Sequence, residues 1–226
     1  MRVAIVIPPV RDFYFTPQRA SFLGAHTLSE ILRKKLVDHH VFNAVRGRGR
    51  SIPLPGELSY LSPHLGSRYF FSGYKRFGIE DEHAAGVIAD YHPDAILLSC
   101  FAFAYADDTI SLARALKKAL PGTLLLAGGA GISAYPEYFL KHSPVDYAVR
   151  REVDASLIEI LNTPGAFNDG SGVISDPAMS DPGAAFSPVR ARTVPRAAPA
   201  RLPSGAPRNA RRSSPAGRPP PAGAAA

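Results

Sequence analysis

Two short segments, each lying between an apolar run and a helical pattern, most constrain the fold of this chain. Ser99-Cys100-Phe101-Ala102 begins at the last residue of the apolar run at residues 94–99, and Gly128-Gly129-Ala130-Gly131 follows a second run at residues 123–127. Two successive strands that each lead into a helix are typical of βαβ units in a parallel sheet. Both segments are then predicted to lie at the carboxyl ends of strands, where open α/β sheets bind their ligands.

The same alternation runs through the first 162 residues. Hydrophobic periodicity predicts strands at residues 3–7, 41–45, 94–99, 123–127 and 147–149, and helices at 21–37, 80–91, 107–120, 136–142 and 154–161. Ser21 is the candidate N-cap of the first helix. Residues 46–77 have no sustained period, which predicts a long loop with at most one short helix and makes it a candidate lid. We therefore predict one α/β domain over residues 1–162, with a doubly wound, parallel, five-stranded sheet of the Rossmann-like or flavodoxin-like kind.

The composition changes after this domain. Residues 163–226 contain eight arginines, three aspartates and no lysine, and they are rich in Pro, Ala and Gly. Such a segment has no apolar face to bury, so we predict a disordered tail whose removal after Thr163 barely changes the melting temperature. We interpret it as the product of a truncated or frame-shifted gene. Nucleic-acid binding by the arginines is disfavoured, because no aromatic residue is interleaved with them and no recognition motif is present.

Several classes of protein are disfavoured by what the sequence lacks. A single cysteine, Cys100, cannot form an internal disulfide or supply the thiolates of an iron–sulfur cluster. No apolar stretch approaches the ~20 residues of a membrane span, and no signal-peptide architecture is present, so we expect a cytoplasmic protein. The first strand leads into Pro8-Pro9 instead of Gly-x-Gly-x-x-Gly, which disfavours NAD. No phosphate-binding Gly-x-x-x-x-Gly-Lys loop occurs, and Ser99 stands where a phospho-receiver needs an aspartate.

Four segments resemble, in order and spacing, the N-terminal domain of cobalamin-dependent radical S-adenosylmethionine enzymes. They are Ile7-Pro8-Pro9 with the aromatic loop behind it, residues 99–106, the Gly128-Gly129-Ala130-Gly131 turn with residues 136–139, and Asp146-Tyr147-Ala148-Val149. The resemblance covers residues 1–162. It implies that the corrin lies across the carboxyl edge of the sheet and that the nucleotide tail of cobalamin enters a cleft between sheet and helix. The residues that it implies for cofactor binding are Phe13, Tyr14, Thr16, Ser99, Phe101, Phe103, Gly128, Gly129, Gly131, Pro136 and Glu137.

Each of these roles has a structural alternative. The glycines either admit a bulky group close to the backbone, in which case Gly129→Val would obstruct the site, or simply form a tight strand-to-helix turn. Ser99 either bonds the nucleotide tail or caps a turn. The aromatic loop from Phe13 either covers one corrin face or packs on a missing partner domain. Cys100 is interpreted as a small buried residue and not as a nucleophile.

The chain departs from the family in three places. Many cobalamin domains carry Asp-x-His-x-x-Gly after the first strand, and its histidine ligates cobalt. No histidine lies between Pro8 and Leu23 here, so no protein histidine is expected to ligate cobalt. The same pattern does occur at Asp81, His83 and Gly86, but it falls in a predicted helix, where a solvent-exposed helix face explains it. The three cysteines of the radical cluster are absent, and Arg150-Arg151 replaces the usual Gly-Glu. We therefore predict a cobalamin-binding domain that is not catalytic alone and is a fragment of a larger enzyme whose radical domain is missing. The alternatives are a flavodoxin-like flavin-binding domain and an interaction protein that uses the basic tail.

Overall fold

The computed structural model describes residues 1–13, 22–66, 73–150, 156–162 and 173–175. All of them fall in a first compact unit, Met1–Ala184; the second unit, Ala185–Ala226, lies outside the described residues. The strands are β1 (Arg2–Ile7), β2 (Val10–Asp12), β3 (Asp38–Asn43), β4 (Arg50–Ser51), β5 (Lys75–Phe77), β6 (Ala95–Ser99), β7 (Leu124–Gly128), β8 (Tyr147–Val149) and β9 (Val173–Ser175). The helices are α1 (Leu23–Lys34), α2 (Asp81–Asp90), α3 (Ala106–Ala119), α4 (Ala130–Ala134), α5 (Pro136–His142) and α6 (Ser156–Asn162), with 3₁₀-helices at Gly56–His64 and Phe103–Tyr105.

The main sheet has the strand order β3-β1-β6-β7-β8-β9. Its first five strands are parallel, and β9 is antiparallel to β8. The central strand β1 is buried from Val3 to Ile7, because helices cover both faces of the sheet. Leu32 of α1 and Leu157 of α6 pack on one face, and a second set of apolar side chains from α2, α3 and α5 packs on the other. The predicted doubly wound, five-stranded parallel α/β fold is confirmed.

The region predicted to be one long loop contains more structure than expected. β4 and β5 lie within residues 46–77 and form a small antiparallel sheet with β2, so the prediction of a loop is wrong for these two strands. The 3₁₀-helix at Gly56–His64 agrees with the one short helix that the prediction allowed. Strands of two or three residues are too short to show a period of two, which is why hydrophobic periodicity did not predict them. Residues 67–72 lie outside the described residues.

Two element boundaries near the amino terminus also differ. β3 begins at Asp38, three residues before the predicted strand, because this edge strand opens with polar, partly exposed residues that carry no apolar pattern. α1 begins at Leu23, and Phe22 before it makes no side-chain capping hydrogen bond. The predicted cap, Ser21, lies outside the described residues.

The predicted tail contributes one strand to the main sheet. In β9, Val173 lies opposite Val149 and Ser175 lies opposite Tyr147 of β8. The prediction that nothing beyond residue 162 takes part in the fold is therefore wrong for these three residues. The rest of the predicted tail, residues 163–172 and 176–226, lies outside the described residues.

Candidate functional site

A cavity of about 530 Å³ opens at the carboxyl end of the main sheet. Its walls are the last residues of β6, β7 and β8, the turn that leads into α4, the first half of α1, and α6. The lining residues are Leu23, Gly24, Thr27, Leu28, Leu97, Leu98, Ser99, Leu126, Ala127, Gly128, Gly129, Ala130, Ser133, Val149 and Leu157. The cavity therefore lies between sheet and helix, as the resemblance implied for the nucleotide tail.

The buried part of the cavity lining is apolar, and its polar side chains lie on more exposed residues. The buried lining residues are all apolar: Leu97, Leu98, Leu126, Ala127, Val149 and Leu157. The three side-chain hydroxyls belong to Ser99 and Ser133, which are half-buried, and to Thr27, which is exposed. Among the described residues that line the cavity, none carries a charged side chain. A neutral, largely apolar group with polar atoms toward its solvent end suits such a cavity.

The three glycines of the turn after β7 differ in what surrounds them. Gly129 has a φ of 106°, and a Cβ there would lie 2.6 Å from the carbonyl oxygen of Cys100. A Cβ on Gly131 would lie 2.6 Å from the Cys100 sulfur. At Gly128, by contrast, a Cβ would meet only the Cβ of Val149, at 3.8 Å. Gly129 and Gly131 are thus required by the packing of the two loops, and only Gly128 leaves room at the cavity.

This packing changes one expectation drawn from the sequence. Gly129→Val would move the backbone of the Cys100 loop before it could obstruct a ligand, so the predicted use of that variant as a steric test is wrong. The Gly131 N–H donates to the Cys100 carbonyl at 2.9 Å, and the Cys100 N–H donates to the Gly128 carbonyl at 2.8 Å. The two loops therefore form one hydrogen-bonded rim at the carboxyl edge.

The predicted site residues that the structure describes separate into three groups. Ser99, Gly128 and Gly129 line the cavity. Phe101 does not line the cavity but belongs to an aromatic group with Tyr105 and with Phe22, which precedes the lining residue Leu23; the ring centroids lie 4.6 Å and 6.1 Å from that of Phe101. The other predicted residues that the structure describes do not line the cavity either. Gly131 is buried under Cys100, and Phe13 packs on Tyr74. Phe103 lies in the second 3₁₀-helix and contacts Tyr135 and Tyr138, while Pro136 and Glu137 begin α5. Tyr14 and Thr16 lie outside the described residues.

The sequence analysis missed the part of the cavity wall that the helices supply. Leu23, Gly24, Thr27 and Leu28 come from α1, and Leu157 comes from α6. One sequence feature could have indicated the helix side of the cavity: Gly24 is a poor helix former, yet it lies in the first turn of an amphipathic helix. A Cβ on Gly24 would have no heavy atom within 4 Å, so this glycine keeps the helix wall open.

A hydrogen-bonded ion pair fixes the strand that follows β1. The backbone N–H of Arg11 donates to Asp108 of α3 at 2.9 Å, and the Arg11 guanidinium donates to the other carboxylate oxygen. Burial raises the pKa of Asp108 above its ordinary value, although Arg11 opposes the rise. Next to it, the Tyr105 hydroxyl donates to Asp12 at 2.6 Å, and burial together with this bond raises the pKa of Tyr105. These contacts hold the end of β2 beside the aromatic group of Phe101.

Three arginines align across the small sheet. Arg76 of β5 lies opposite Arg11 on one side and Arg50 on the other, so the three side chains share one face. Each has a carboxylate partner: Asp108 for Arg11, Asp81 for Arg76 at 2.8 Å, and Glu80 for Arg50. Because the guanidinium charges are neutralised, this row attaches the small sheet to α2 and α3 and does not form an anion site.

The candidate metal and nucleophile residues are not placed for those roles. His83 is exposed on α2, and within the described parts of the chain no group of three or more His, Cys, Asp or Glu side chains could hold a metal ion. Cys100 is buried and its thiol donates to the Ala102 carbonyl at 3.2 Å. Burial raises the pKa of Cys100, which disfavours the thiolate. The interpretation of Cys100 as a small buried residue is confirmed.

Comparisons with known proteins point to the same part of the molecule. None of the helices that the structure describes is long and apolar enough to cross a membrane. No curated protein matches the chain. Residues 75–161 match the family model of the B12 binding domain, and this segment runs from β5 to α6 and supplies β6, β7 and β8 of the cavity wall. The matched segment is thus similar to a B12 binding domain, which supports cobalamin binding.

Proposed function

We propose that this chain binds cobalamin, with the nucleotide tail of the cofactor in the cavity and the corrin across the carboxyl edge of the main sheet. The observation that carries the proposal is the position of the cavity. It lies between the strand ends and helices α1 and α6, and the strands that line it belong to the segment similar to a B12 binding domain. Bound cobalamin supplies organometallic chemistry at cobalt.

The lining residues fit the nucleotide tail of cobalamin. Its dimethylbenzimidazole is flat and apolar, which matches the leucine and valine floor. Its ribose and phosphate oxygens are hydrogen-bond acceptors, and the hydroxyls of Thr27 and Ser99 are donors near the solvent end. Gly128 presents backbone without a side chain at the rim, which allows close approach of a bulky group.

The finer part of the proposal concerns the enzyme to which the domain belongs. We propose that it serves a cobalamin-dependent radical S-adenosylmethionine enzyme and that the iron–sulfur cluster is held by another domain or chain. The resemblance of residues 1–162 to that family supports this, and the single buried Cys100 leaves no thiolates for a cluster here. A reading frame downstream that encodes Cys-x-x-x-Cys-x-x-Cys is expected; its absence in all three frames would favour a stand-alone cobalamin carrier.

Binding is tested by equilibrium dialysis of the full chain against cyanocobalamin, flavin mononucleotide and NAD. We expect saturable binding of cyanocobalamin only. Gly24→Leu should weaken it by at least tenfold, because the leucine extends from the helix wall into open space. Gly86→Leu is the matched control: Gly86 is also a helical glycine with no heavy atom within 4 Å of a Cβ, but it does not line the cavity. Preferential binding of flavin mononucleotide would contradict the proposal.

A further inference from the structure

The chemistry of the cavity floor carries an inference about which cobamides the chain accepts. Resting on the proposed function, we infer that the cavity selects cofactors whose lower base is an apolar benzimidazole and rejects those whose lower base is a purine. Natural corrinoids share one ring system and differ in this base. The cavity is therefore the part of the site that can distinguish them.

The physical basis is that the described residues lining the deep part of the cavity offer no polar side chain. Leu97, Leu126, Val149 and Leu157 are at most 6% exposed and offer no side-chain donor or acceptor. The backbone of Leu97 and Leu126 is paired within the parallel sheet, so it has no free groups for a ligand to use. A base that enters this region leaves any polar edge atoms without hydrogen bonds.

The two bases differ in what they lose on entry. Dimethylbenzimidazole presents two methyl groups, a hydrocarbon edge and one free ring nitrogen, and its apolar groups gain from contact with the leucine floor. Adenine presents an exocyclic amine and ring nitrogens, which lose their water without replacement. The hydroxyls of Thr27, Ser99 and Ser133 lie on exposed or half-buried residues, and therefore toward the ribose and phosphate end of the tail. One or two unpaired polar atoms predict an affinity about 30-fold lower for the adenine form, which corresponds to about 2 kcal/mol.

The experiment compares two cofactors that carry the same two cobalt ligands and differ only in the lower base. Full-length chain is titrated with dicyanocobalamin and with its analogue carrying adenine as lower base; cyanide on both faces of cobalt leaves the base of either cofactor free. Dissociation constants are measured by calorimetry in the same cyanide buffer. Cobinamide, which lacks the nucleotide tail, is the third ligand and should bind at least tenfold more weakly than dicyanocobalamin.

Two matched variants connect the preference to the floor. Val149→Thr places a hydroxyl in the cavity at nearly constant side-chain volume. We expect it to reduce the ratio of the dissociation constants, adenine form over benzimidazole form, by at least threefold. Val45→Thr makes the same change at a buried valine of the same core cluster that does not line the cavity, and it should leave the ratio unchanged. Their thermal unfolding curves, recorded with and without each cofactor, confirm that both variants are folded.

Each result separates the inference from the proposal on which it rests. Equal affinities for the benzimidazole and adenine forms, both tighter than cobinamide, would overturn the selectivity and leave cobalamin binding in place. Cobinamide binding as tightly as dicyanocobalamin would show that the tail gains nothing from the cavity, which overturns both the selectivity and the proposed position of the tail but leaves corrin binding in place. Failure of all three ligands to bind would refute the proposed function itself.

Discussion

Gly128→Val provides the sharpest test of the cavity, because the neighbouring glycine supplies its contrast. A Cβ on Gly128 meets only Val149, at 3.8 Å, which is ordinary contact, and valine is favoured in strands. We therefore expect a melting temperature within about 2 °C of the wild type. The isopropyl group takes space beside Val149 that the nucleotide tail needs. Overpacking of that kind costs about 2 kcal/mol, so the affinity for cobalamin should fall about 30-fold.

Gly129→Val should have the opposite profile. Its φ of 106° is unfavourable for valine by about 1–2 kcal/mol, and the 2.6 Å approach of a Cβ to the Cys100 carbonyl forces a backbone shift. With about 2 kcal/mol of overpacking, the total is about 3–4 kcal/mol. A domain of this size then melts about 10 °C lower.

The assay measures both properties for both variants. Thermal unfolding is followed by circular dichroism without cofactor, and affinity is measured by dialysis against cyanocobalamin at a temperature where all variants are folded. The reasoning is refuted if Gly128→Val binds like the wild type, since the cavity beside Val149 would then not hold the cofactor. A wild-type melting temperature for Gly129→Val would refute the packing argument.

Three further predictions follow from other parts of the molecule. His83→Ala should leave the visible and electron paramagnetic resonance spectra of bound cob(II)alamin unchanged, because His83 is exposed on α2; loss of a nitrogen coupling to cobalt in the variant would contradict this. Tyr105→Phe should lower the stability by about 2 kcal/mol through loss of the bond to Asp12. Because the pKa of Tyr105 is raised on folding, its contribution is full below about pH 10 and is lost as the pH rises through the folded pKa, so denaturant titrations should show a shallower alkaline decline in the variant. A chain ending at Thr163 loses β9 and should melt about 6 °C below one ending at Ala184, whereas equal melting temperatures would show that β9 adds nothing.

The main sheet could be predicted because its strands are buried on both faces. Continuous apolar runs such as β1 and β6 are visible without any knowledge of their neighbours. The small sheet could not be predicted in the same way. Its strands are held by cross-strand pairs and by ion pairs to α2 and α3, and such contacts join residues far apart in sequence, as Arg11 and Asp108 are.

The candidate site was predictable on its strand side only. Topology places the carboxyl ends of β6 and β7 together, so Ser99 and Gly128 follow from the strand assignment. The helix side depends on how α1 and α6 rotate onto the sheet, which periodicity alone does not specify. Phe103 illustrates the limit: it lies four residues after the end of β6, but it belongs to a 3₁₀-helix, contacts Tyr135 and does not line the cavity.

The cavity depends on both ends of the described chain. α1 closes it from one side and Leu157 of α6 from the other, while the matched strands supply only the floor and rim. α6 is connected between β8 and β9, which pair with each other, so β9 restrains the carboxyl end of the segment that carries Leu157. Without β9 that end is free, so α6 loses more conformational entropy when it closes on a ligand, and binding becomes less favourable. The chain ending at Thr163 should therefore bind cobalamin more weakly even at temperatures where it is fully folded, which simple destabilisation would not produce.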